Sequence, residues 1–144
     1  MVVGRHTIEI GWGDCDPAQI VFFPRYFEWF EICTGVLFKT AGLPLHQMFA
    51  DRGMVGIPLL DVGATFHFAS SFGHHLDVES RIVEWNAKTF RIEHRFLRDG
   101  RLALEGRELR VWAVPDPTAE RPMRAAPIPA DVIQRFTQEE PVPA

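Results

Sequence analysis

Two aspartates stand ahead of a long helical pattern: Gly13-Asp14-Cys15-Asp16-Pro17-Ala18 precedes a run that opens at Pro24. A carboxylate on such a loop can act as a nucleophile or as the base for a water molecule. The residue before Pro24 is Phe23, whose side chain carries no oxygen, so the first-turn N–H groups lack the usual Ser, Thr or Asp cap. Water or a ligand must satisfy them. Backbone donors at a helix start, with the helix dipole behind them, stabilise an oxyanion or a phosphate. A carboxylate beside such donors is a workable hydrolytic pair. Turn formation uses the same residue types, with Asp16 directly before Pro17, and the pattern alone leaves both readings open.

The chemistry that so few groups can perform is limited. Amide hydrolysis needs an activated nucleophile and a proton for a poor leaving group. A thioester is easier, because a thiol of pKa roughly 8.5 departs as the thiolate without a strong acid. One carboxylate and one oxyanion site meet that requirement. Other constellations are weaker. No G-x-S-x-G elbow is present, so Ser70 and Ser71 beside His74 and His75 read as a loop. The adjacent histidines lack H-E-x-x-H spacing and would point to opposite faces of a strand, so no metal site is expected. Walker and dinucleotide glycine patterns are missing as well. Cys33 falls on the helix and should pack. Arg91, Arg95, Arg98 and Arg101, with Lys88, form either a solvated strand face or a local anion site.

These residues need a scaffold, and the hydrophobic pattern supplies one. The chain has 144 residues, 47% of them hydrophobic and 24% charged, which fits one globular domain over 1–144. A formal charge of -4 argues against a nucleic-acid partner. Two cysteines make no disulfide framework, and no apolar run reaches the roughly 20 residues of a membrane span, so a soluble cytoplasmic protein is expected. Residues 5–12 read as a strand. Phe23, Phe27, Phe30, Thr34, Leu37 and Ala41 then form one stripe at helical spacing, which predicts a helix over 24–41 ended by Gly42 and Pro44. From 58 to 114 the pattern alternates in four runs, with Asp99-Gly100 as a two-residue hairpin turn. The inward parity in the fourth run passes from 102 and 104 to 109 and 111, which predicts a β-bulge at Gly106. Five prolines over 115–130 predict a surface crossing before a short helix near 130–136. The fold class is therefore α+β, one five-stranded antiparallel sheet wrapped around one long helix. Its open edges favour a homodimer.

The run IEIGWGDCDPAQIVFFPRYFEWFE, followed by AGLP, RGMVGIP and EWNAKTF, resembles the 4-hydroxybenzoyl-CoA thioesterase family of the hot-dog fold, over about residues 8–114. The resemblance implies hydrolysis of an aromatic acyl-CoA without metal or cofactor, by a homodimer or a dimer of dimers with sites at subunit interfaces. It assigns the catalytic carboxylate to Asp16 and the donor for the thioester carbonyl to the backbone N–H of Phe23. It also assigns substrate contacts to Tyr26, Glu31, His46 and Lys88, with Glu31 facing the para-hydroxyl of the acyl group. Departures from the family pattern are Gln19 for a glycine, Phe23 for a tyrosine, His46 for a tryptophan, and Asn86-Ala87-Lys88 for a basic trio associated with CoA phosphates. Two further readings use the same fold: a short-chain aliphatic acyl-CoA thioesterase, and a non-catalytic acyl-CoA or acyl-carrier binding module. A dehydratase fits poorly, since no histidine lies between Thr7 and Leu45.

Overall fold

The computed structural model describes residues 1–118, 120 and 122–138. Residues 139–144, included in the one-domain reading, lie outside the described residues. Strand β1 (Gly4–Glu9) is followed by helix α1 (Pro24–Thr40), helix α2 (Leu45–Arg52) and strands β2 (Leu59–Phe66), β3 (His75–Trp85), β4 (Thr89–Arg98) and β5 (Arg101–Val111). These five strands form one antiparallel sheet in the order β1-β3-β4-β5-β2. The Pro-rich crossing contains a small hairpin, β6 (Ala113–Pro115) with β7 (Met123–Ala125), and then helix α3 (Ala130–Thr137). None of the described helices is long and apolar enough to cross a membrane.

The helix lies on the sheet along a row in which four of the five strands carry a small residue. Gly4, Ser80, His94, Gly106 and Ala64 are successive cross-strand neighbours, one row from edge to edge. A Cβ on Gly4 would sit 2.7 Å from Leu37 Cα, and one on Gly106 would sit 2.7 Å from Phe30 Cε1. The row is thus a saddle that lets α1 approach closely. Either side of it, the core divides into two apolar clusters. One gathers Leu37, Phe38, Ile82, Phe90, Trp112 and Phe136. The other gathers Tyr26, Trp29, Phe30, Leu76, Phe96 and Leu104. Phe30 is completely buried, so Gly106→Ala must displace a fixed ring. We expect a loss of about 1–3 kcal/mol, the scale of overpacking a filled core, read as a shift in the urea midpoint.

Three expectations need correction. The bulge lies at Ala103, because Phe96 pairs with Leu104 while Leu97 pairs with Leu102; Gly106 pairs regularly with both neighbours. The parity change therefore comes earlier, and Glu108 and Arg110 point inward, while Leu109 and Val111 are only partly buried. The helical stripe is also broader and starts later: Phe30, Thr34, Leu37 and Ala41 are buried as expected and are joined by Tyr26, Trp29, Cys33 and Phe38, whereas Phe23 is 62% exposed. Finally, the first strand stops at Glu9. A short 3-10 turn, Trp12–Asp14, replaces its end, because Asp14 Oδ2 accepts the Gly11 N–H at 2.8 Å and withdraws it from any ladder. The Asp99-Gly100 turn has φ of 51° and 77°, as a type I′ hairpin requires. Helix α2 was unforeseen; only Met48 is buried on it, and Gly53, at φ 60°, ends it.

Candidate active site

The loop before α1 closes on itself through its backbone. Asp16 N–H donates to Ile20 O at 3.0 Å, Gln19 N–H returns to Asp16 O at 2.8 Å, and Cys15 and Val21 form a β-bridge. Gln19 adopts φ 65°, a left-handed conformation that glycine takes more readily, at the position where the family pattern has glycine. Asp16 Oδ1 accepts the Ala18 N–H at 2.9 Å, which fixes the carboxylate; Oδ2 accepts no bond among the described residues. Asp14 has both oxygens engaged, one by Gly11 N–H and the other 3.4 Å from Arg25 Nε, while its carbonyl accepts the Phe22 N–H. One aspartate builds the loop and the other leaves an oxygen free.

Phe23 caps α1 with helical dihedrals and no side-chain bond. Its conformation extends the helical turn backward, so Arg25 N–H donates to Phe22 O and Tyr26 N–H to Phe23 O. The expectation that all first-turn donors await water or a ligand is corrected to a single one. The Phe23 N–H has no partner among the described residues.

Asp16 opens into a cavity of about 480 Å³ walled by Trp12, Cys15, Gln19, Ser71 and Phe72. Phe23 and Tyr26 line another of about 310 Å³, with Ile20, Phe66, Phe68 and Ser70. The two adjoin through the backbone at 19–20 and 70–71. Arg98 pins that second wall, donating from Nη1 to Ala69 O at 3.0 Å and to Ser70 Oγ at 3.2 Å, with His74 Nδ1 at 2.9 Å. Ser70, Ser71 and His74 thus serve as a loop. Burial pushes the Tyr26 hydroxyl up to about 12, with the charge of Arg98 opposing, so it stays protonated at neutral pH. Burial likewise lifts Cys33 to about 12, which fits a packed, inert thiol.

Glu31, His46 and Lys88 lie elsewhere. Glu31 lines a third cavity of about 370 Å³, formed by Leu45, Phe49, Pro58, Leu59 and Arg110. His46 is exposed on α2 and lines none of these three cavities. Lys88 is exposed in the β3–β4 turn, at the Glu31 end of the sheet, where its carbonyl accepts the Trp112 N–H. A single aryl group does not run along one helix from Phe23 to Glu31, because the two residues open into different cavities of the chain. The arginines form no single patch either: Arg91 pairs with Glu84 at 2.6 Å, and Arg98 and Arg101 stack on Phe68.

A buried polar chain, unforeseen from the sequence, links the saddle to Glu31. Ser80 Oγ lies 2.7 Å from His94 Nδ1, and His94 Nε2 lies 3.5 Å from Glu108 Oε2. Thr34 donates to that oxygen at 2.8 Å, and Arg110 Nε at 3.0 Å. Arg110 Nη2 then reaches Glu31 Oε1 at 2.6 Å. Burial works against the charge on Glu108, yet His94 and Arg110 outweigh it and hold the carboxyl below its ordinary value. Burial likewise disfavours the Arg110 cation, and Glu108, then Glu31, more than compensate.

A five-stranded antiparallel sheet curled on one central helix, with a loop carboxylate and a free amide at the helix start, defines a hot-dog thioesterase scaffold. The chain belongs to the thioesterase-like superfamily, whose profile matches residues 10–136. Over 131 residues it is 38% identical to the 4-hydroxybenzoyl-CoA thioesterase of Pseudomonas sp. (strain CBS-3), covering 87% of this chain and 91% of that one. An aspartate-to-asparagine variant of a 4-hydroxybenzoyl-CoA thioesterase, complexed with 4-hydroxybenzoyl-CoA, superposes with a TM-score of 0.85 at 33% identity, covering 95% of this chain and all (100%) of that one. A gentisyl-coenzyme A thioesterase gives 0.78 at 28% identity, covering 93% and 99%.

Proposed function

We propose that the protein hydrolyses an aromatic acyl-CoA of 4-hydroxybenzoyl type. The observation that carries this reading is that Asp16, with one carboxylate oxygen free, and Phe23, with its N–H unpartnered, line two cavities whose walls meet at residues 19–20 and 70–71. The Phe23 N–H polarises the thioester carbonyl and takes up the charge that develops on its oxygen. Asp16 either attacks the carbonyl carbon, giving an anhydride that water then opens, or removes a proton from the attacking water. In both routes the C–S bond breaks, CoA leaves as the thiolate, and water supplies the oxygen and proton of the products. No cofactor is needed for that balance. A panel of 4-hydroxybenzoyl-, benzoyl- and short aliphatic acyl-CoA esters, with free thiol as the readout, tests it. Fastest turnover of the hydroxyaryl ester is expected. Faster aliphatic turnover favours the short-chain reading, and binding without thiol release favours a binding module.

The complete site takes two chains. β2 is an edge strand whose exposed Leu59, Leu60 and Phe66 have no cover in one chain. Its first residue, Leu59, lines the Glu31 cavity and its last, Phe66, lines the Phe23 cavity. Antiparallel pairing of two β2 strands about a two-fold axis sets Leu59 of one chain beside Phe66 of the other. Glu31 and Lys88 of one chain then approach the Asp16 and Phe23 end of its partner. Light scattering at micromolar concentration should return at least a dimer. An active monomer excludes the shared site.

A further inference from the structure

Glu31 alone does not explain how its own carboxylate is held, and the side chain that holds it has no role in the mechanism above. Arg110 is 5% exposed at the side chain, on the inner face of β5. Its Nε donates to Glu108 Oε2 at 3.0 Å and its Nη1 to Ile57 O at 2.8 Å. Its Nη2 donates to Glu108 Oε1 at 3.1 Å and to Glu31 Oε1 at 2.6 Å. Four of a guanidinium's five N–H groups are therefore committed. The arginine cannot turn toward a substrate without stripping Glu108, whose side chain is 0% exposed, of two hydrogen bonds and its guanidinium partner. Glu108 is itself fixed by Thr34 from the helix side. The far end of this chain is rigid, and the near end is Glu31, 58% exposed at the cavity.

We propose that Arg110, clamped by Glu108, is a positioning residue for acyl recognition: it commits one oxygen of Glu31 and leaves the other facing the apolar cavity as an acceptor for a hydroxyl on the acyl ring. This rests on the reading that Glu31 meets the acyl group. With four of the five Arg110 N–H groups held by protein carboxylates and a carbonyl, the free Glu31 oxygen offers a hydroxyl an acceptor and opposes an anionic substituent.

The test measures kcat/KM for 4-hydroxybenzoyl-CoA and benzoyl-CoA in the intact protein, as a ratio within each variant. Glu31→Gln should lower the ratio about tenfold, the scale of losing one hydrogen bond to a substrate hydroxyl. Arg110→Lys keeps a cation beside Glu108 but loses the fork, and the double variant Glu108→Gln with Arg110→Gln removes both charges together should the lysine variant fail to fold. Each folded variant should show a comparable fall in the ratio, and adding Glu31→Gln should lower it no further. If the Arg110 variants lower both substrates equally and keep the ratio, the arginine is merely structural and the positioning role is overturned, while the reading of Glu31 stands. If Glu31→Gln itself leaves the ratio unchanged, that reading fails and takes the role of Arg110 with it.

Discussion

Asp16→Asn is expected to lower kcat by about a hundredfold or more while leaving the fold intact, the scale of losing a nucleophilic or general-base group. The geometry separates the two functions of this residue. Its backbone holds the loop through Ile20 and Gln19, and Oδ1 holds the turn through Ala18 N–H. Asparagine retains that carbonyl oxygen and the same shape, so the loop keeps its bonds. What changes is the oxygen that accepts nothing, where an amide replaces a negative charge. The loss should therefore fall on kcat, and the thermal midpoint should move little. Steady-state turnover of 4-hydroxybenzoyl-CoA beside a melting curve reads both. A folded variant with wild-type turnover removes the assignment to Asp16.

The loop and helix start were legible in the sequence because local rules govern them. Pro24 opens the helix, Asp99-Gly100 demands positive φ, and the Gly-Asp-Cys-Asp-Pro block marks a turn before an uncapped helix. Long-range geometry was less accessible. Leu109 and Val111 are apolar and alternate, so they read as the core face; the single extra residue at Ala103 inverts that parity and turns Glu108 and Arg110 inward. The signal was present as a second periodicity, since Leu104, Gly106, Glu108 and Arg110 share one parity with the glycine that the helix needs. Charged residues at 108 and 110 argued against it, because burying them is acceptable only when helix and sheet supply partners from distant sequence. The separation of Phe23 from Glu31 was hidden for a related reason. Eight residues along a helix is a short path, but rotation about the helix axis and the course of β2 decide which cavity each side chain enters.

The same buried charges set the largest expected effect on stability. Glu108→Ala removes the acceptor for Thr34 and two bonds from Arg110, and leaves the guanidinium, 5% exposed, with Glu31 as its remaining carboxylate. Breaking a buried pair by deleting one partner costs about 3–5 kcal/mol, so urea unfolding at neutral pH should show a loss of that size. Replacing Glu108 and Arg110 together should cost less than Glu108→Ala alone, since no charge is then stranded. The pH dependence follows from the sign of the shift. Glu108 in the folded chain lies below its ordinary value of 4.5, so the unfolded state takes up the proton first as pH falls. The carboxylate's contribution is therefore complete above about 4.5 and is lost as pH falls from there through the folded value. The difference in unfolding free energy between wild type and Glu108→Ala should be largest at neutral pH and shrink in acid. A difference that stays constant across that range would mean that the volume of the side chain, and not its charge, holds the helix to the sheet.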